Sequence, residues 1–68
     1  MIDEKQIDDV KTEAYKIAVS LGSRAAVAFV VDVYPEQARN ILMQVSVQLE
    51  AMKHSKLSSM IDKLTENL

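Results

Sequence analysis

Along residues 3–21 apolar side chains recur at alternating spacings of three and four: Ile7, Val10, Ala14, Ile17 and Leu21, with Ala18 beside them. That period lines them up on one stripe of an amphipathic helix. Its start is signalled by Asp3 as N-cap, by Gln6 three residues later and by Ile2, which can pack on Ile7 as a hydrophobic staple. Asp3 and Glu4 also suit the positive end of the helix dipole. Gly22, the only glycine, supplies the left-handed residue that commonly ends a helix, and Ser23 can cap the next segment.

Residues 25–34 read AAVAFVVDVY, apolar in nearly every direction. Two local rules disagree here. Val27, Phe29, Val31 and Val33 alternate as on a strand face, and β-branched and aromatic residues favour strands. The other strand face would carry Ala28, Val30 and Tyr34, so both faces would need cover, and the chain holds no second strand to pair with. As a helix the segment places Arg24, Ala28 and Asp32 on one side and apolar groups on the rest, which suits a short central helix. Helix is the expectation.

Pro35 disfavours helical geometry at Tyr34 and is suited to the first position of a new helix. From there to Lys53 no Gly or Pro intervenes, and Ala38, Ile41, Leu42, Val45, Leu49 and Met52 make a continuous stripe. This predicts the longest helix of the chain, roughly 28 Å at about 1.5 Å per residue. A second apolar line, Met43, Val47 and Ala51, runs about 180° from the first. Leu57, Met60, Ile61, Leu64 and Leu68 form a further stripe whose centre is turned by roughly 90°. A break near His54, Ser55 and Lys56 explains the turn, with Ser55 or Ser58 as cap; a continuous, curving helix is the alternative.

Size sharpens the meaning of these faces. A single domain of 68 residues and 7.6 kDa buries only about 60% of its unfolded surface. Small domains usually add disulfides, a metal or oligomerisation, and this chain has no Cys and one His. Net charge is −2, so there is no bulk attraction to nucleic acid or anionic lipid. The five acids and three lysines of residues 1–20, set against three lysines and two acids in residues 51–68, attract only weakly. The acidic N-terminus lacks the basic and apolar regions of a secretory signal, and the apolar run falls short of the roughly 20 residues that span a bilayer. A soluble cytoplasmic protein with no membrane partner is expected.

Residues for chemistry are few. Nucleophilic catalysis needs an oriented base beside the nucleophile, and His54, the sole imidazole, sits near the end of the long helix, an ordinary place for a solvated basic side chain. Asp9 and Glu13 share a helix face, but two carboxylates without further ligands read as a solvated acidic face. Asp8 and Asp9 point about 100° apart. No catalytic residue, metal ligand or cofactor site is assigned. Tyr15 and Val19 lie off the main stripe of the first helix, where they can meet a neighbour.

Two DNA-binding patterns bear on these residues. Ala18 and Gly22, with Ile17, Leu21 and Val31 at packing positions, resemble the turn of a helix-turn-helix over about 20 residues. A recognition helix must offer polar groups to base edges, whereas here it would present Ala25, Ala26, Phe29, Val30 and Val33 around Arg24. Residues 27–68 also resemble a ribbon-helix-helix protein, with a strand at about 27–34, Pro35 and Glu36 opening one helix, and a second helix from about Ser55. That resemblance implies a dimer through paired strands and a DNA-reading ribbon. Counted back from Pro35, however, Tyr34, Asp32 and Val30 would face the core and Val33, Val31 and Phe29 the DNA, the reverse of the polar groove-facing side that family uses. Its first helix is also generally shorter than the run available here.

The sequence therefore predicts an all-α bundle of three or four helices in one domain, residues 1–68, completed by dimerisation. Its expected function is that of a small non-enzymatic interaction or regulatory protein acting through an apolar helical surface. Phe29, Val30, Val33, Met43, Val47 and Ala51 are the candidate interface, and the partner is a second copy or another protein. Nucleic acid is not expected; a regulator of ribbon-helix-helix type is the alternative.

Overall fold

The computed structural model describes residues 4–68. They form four helices, α1 (Glu4–Leu21), α2 (Ser23–Val33), α3 (Ala38–Ala51) and α4 (Ser55–Thr65), with no strand among the described residues. The ribbon alternative at about 27–34 thus gives way to α2. With no intrachain strand to pair with, these residues satisfy their backbone groups within the helix instead. The Asp3 cap and the Ile2 staple lie outside the described residues. No helix among the described residues is long and apolar enough to cross a membrane.

The helices run alternately up and down. Tyr34 donates from Oη to Gln6 Oε1 at 3.2 Å, tying the end of α2 to the start of α1. Ser23 donates from Oγ to the Leu57 carbonyl at 3.1 Å, bringing the start of α2 to the start of α4. The short connection between Ala51 and Ser55 turns α4 back along α3, and Ser46 in mid-α3 bonds Ser58 and Asp62 of α4. Helix α2 touches all three other helices, while α3 also packs on α1 and α4.

The core is built mainly by α3, which supplies Ala38, Ile41, Leu42, Val45 and Leu49, joined by Val30 of α2 and Ile61 of α4. Full burial of each large aliphatic side chain stabilises the fold by about 1.5–3 kcal/mol. The α1 and α2 contributions are largely alanines, namely Ala14, Ala18 and Ala26, all fully buried. Short side chains let helix axes approach closely, and Ile7, Val10, Tyr15, Ile17 and Phe29 close the margins.

Leu21 departs from the expected stripe. It is 76% exposed although its direction around the helix is right, because it is the last residue of α1 and the chain reverses just beyond it. The long helix is also shorter than its pattern: residues 35–37 form a turn, and the first helical bond runs from Ile41 N–H to the Gln37 carbonyl. At 14 residues α3 is shorter than the 18 of α1.

Gly22 reverses the chain in one residue. Its φ of 112° and ψ of 164° fall in a region open essentially to glycine alone, and its N–H bonds the Ile17 and Ala18 carbonyls at 3.1 Å each. Ser23 does not cap α2, since its hydroxyl is spent on Leu57. The α3–α4 break falls where the stripes shift. His54 N–H bonds the Leu49 carbonyl at 2.8 Å and Lys53 N–H the Glu50 carbonyl at 3.0 Å, the paired bonds of a Schellman ending. Lys53 takes the left-handed position at φ 66°. Neither Ser55 nor Ser58 caps α4, because His54 holds the cap position without a side-chain bond.

Two substitutions test these endings. A methyl group at position 22 would meet no atom within 4 Å, so Gly22→Ala isolates the backbone cost and should destabilise the fold by about 1–3 kcal/mol in urea unfolding. Lys53→Gly should stabilise it by about 0.5–1 kcal/mol, relief of left-handed strain being partly offset by the freer unfolded chain.

Candidate interaction surface

Helix α3 has two opposite faces. Ala38, Ile41, Leu42, Val45 and Leu49 point inward, fully buried or nearly so. About 180° away, Met43 is 58% and Val47 66% exposed, and Ala51 is exposed in line with them. Solvated Arg39 and Glu50 border this line on the α4 side, the side from which Ser46 reaches α4. Gln44 borders it on the α1 side, where its Oε1 accepts from Lys11 Nζ at 2.8 Å; Lys11 also pairs with Asp8 at 3.0 Å.

The other expected surface residues are placed differently. Val30 is fully buried and belongs to the core, and Phe29 is half-buried against it. Val33, 43% exposed, ends α2. Structure therefore brings Met43, Val47 and Ala51 together and leaves the three α2 residues outside that line. Tyr15 is a packing residue: it joins the core margin and meets the His54 ring edge-on, with centroids 6.3 Å apart and planes at 68°.

Between α3 and α4 lies a polar seam that periodicity alone did not single out. Ser46 and Ser58 are buried, at 4% and 2% exposure. Ser46 Oγ lies 2.7 Å from Asp62 Oδ1 and 2.8 Å from Ser58 Oγ. A carboxylate only accepts, so the consistent chain has Ser58 donating to Ser46 and Ser46 donating to Asp62. Above it opens a cleft of about 300 Å³ lined by Glu50, Ser55, Ser58, Ser59 and Asp62. The available signal was direction, since Ser46 falls on the inward half of the α3 stripe beside Leu42 and Leu49. Buried serines there must be hydrogen-bonded, and the seam fixes the register of the two helices.

No protein-family model, curated protein or solved structure matches the chain.

Ser46→Ala would leave the buried Ser58 hydroxyl without its acceptor and Asp62 without its donor. Equilibrium unfolding should show a loss of about 1–2 kcal/mol.

Proposed function

We propose that this is a small non-enzymatic interaction or regulatory protein whose working surface is the outward face of α3, covered by a second copy of the chain. Its mode of action is occupancy. An apolar helix face docks on another helix, with Met43 and Val47 as anchors and Ala51 allowing close approach. A face of this kind serves an inhibitor, an adaptor or an assembly chaperone alike. Thioether side chains suit adaptable contacts.

The observation that carries this reading is the exposure of Met43 at 58% and Val47 at 66% on the helix whose other face supplies half of the buried core residues. Apolar residues exposed singly are ordinary. Three on successive turns of one helix, facing away from the core, form a continuous strip, which supports a contact there.

Coupling of folding to association tests it. The melting temperature should rise with protein concentration, and sedimentation should show a mass approaching that of the dimer at millimolar protein. Val47→Asp should abolish both, because it would place an unpaired charge in the contact, while changing the stability of the isolated protomer by no more than about 0.5 kcal/mol. A monomeric mass throughout, with melting indifferent to dilution and to the substitution, would overturn the reading.

A further inference from the structure

Arg39 and Glu50 both lie on the α4 side of the apolar line, about 60–80° from its centre at about 100° per residue. Both are exposed, and neither is joined to a charged partner among the described residues. They stand three turns apart, about 16 Å along the axis. Within one protomer that distance keeps them from meeting. Across a twofold axis perpendicular to the helix it brings each opposite its counterpart.

We infer that two copies pair through α3 in antiparallel orientation, with Arg39 of each copy facing Glu50 of the other. The inference rests on the reading of the α3 face as a contact surface and adds orientation and register to it. The charges set the axis, and the two larger apolar side chains, Met43 and Val47, fall symmetrically about it, while Ala51 lies beyond the symmetric pair. The midpoint between Arg39 and Glu50 falls between Gln44 and Val45, and the midpoint between Met43 and Val47 falls at Val45, half a residue or about 0.75 Å away. The axis that pairs the charges therefore also sets Met43 of one copy beside Val47 of the other.

Parallel pairing does not do this. Around an axis along the helices, opposite flanks meet, so Arg39 and Glu50 would face the flank of Gln44 and Gln48, where the charge of Lys11 is already paired with Asp8. Antiparallel pairing joins like flanks, charges with charges and amides with amides. It also sets the two helix dipoles head to tail. A twofold contact of this kind is closed and self-complementary. The strip is one helix face wide, which puts the contact at the small end of specific interfaces, with a dissociation constant on the order of micromolar or weaker.

Charge reversal tests the register. Arg39→Glu alone sets two pairs of like charges across the axis, and so does Glu50→Arg alone. Each should raise the dimer dissociation constant about tenfold or more at low salt, with the difference shrinking as salt is added. Mixed together, the two variants restore both attractions, so the heterodimer should form in preference to either homodimer. Native mass spectrometry resolves it, because the variants differ in mass. The fold of each protomer is protected, since Glu near the start and Arg near the end of α3 both suit the helix dipole, and helicity by circular dichroism should stay unchanged. A dimer abolished by Val47→Asp yet indifferent to both reversals would overturn this register while leaving the α3 face as the contact. A wild-type chain that stays monomeric to millimolar concentration would overturn both.

Discussion

A helix apolar on nearly every side has to be covered on nearly every side, and in a chain of 68 residues that demand governs the fold. Helix α2 touches each of the other three and leaves Arg24, Ala28 and Asp32 in water. Most of that cover comes from α1 and α4, with a smaller share from α3, whose inward face packs chiefly on α4 and α1. No element of the described chain remains to cover the outward face of α3. The exposure of Met43 and Val47 thus stems from the same arithmetic of faces that buries Val30.

Covering α2 so tightly depends on short side chains and a sharp reversal. Ala14, Ala18 and Ala26 are buried without residual exposure, which gains little hydrophobic stabilisation per residue but lets the first two helices lie close. Gly22 returns the chain at once, and only its unusual backbone angles allow a single-residue connection between antiparallel helices. The second reversal, at Lys53, lies at the same end of the bundle and uses a left-handed residue with a side chain. The α3–α4 pair is then held in register by hydroxyls, since the Ser46, Ser58 and Asp62 bonds are directional where aliphatic packing is not.

What the sequence revealed and what it hid divide along a physical line. Direction around a helix is legible, because a fixed rotation per residue assigns every side chain a face. The placement of Arg24, Ala28 and Asp32 on the solvent side of α2, the two faces of α3 and the shift of stripe at the break before Ser55 all came from that rotation. Position along the axis is not legible in the same way. Leu21 points correctly and is nonetheless exposed, because burial also requires a neighbour at that height. Residues 35–37 carry the pattern of α3 but form its approach. Serine is ambiguous for a third reason: its hydroxyl serves a cap, a core bond or water equally well, and Ser23 and Ser58 reach across to other helices where local rules expected caps. Phe29 and Val30 were legible as apolar, but their share between core and surface depended on which helices came to rest on them.

Exposure alone does not make a surface, and Leu21 shows why. It is more exposed than Val47, at 76% against 66%, yet it stands at a helix terminus where the neighbouring turn leads away. Val47 sits at the middle of α3, with Met43 one turn before it and Ala51 one turn after, on a helix held rigidly from behind by buried Val45 and Leu49 and by the Ser46 bonds. A contact made there orders few additional groups, which lowers the entropic cost of association. Arg39 and Glu50 add no comparable attraction in water, where exposed pairs contribute about 0.2–1 kcal/mol. In the proposed dimer their part would be selection, since they would favour one orientation of an apolar strip that would otherwise accept two. Affinity and orientation would then arise from different residues on the same helix: Met43 and Val47 would drive the contact, and the spacing of Arg39 and Glu50 would decide which way round it forms.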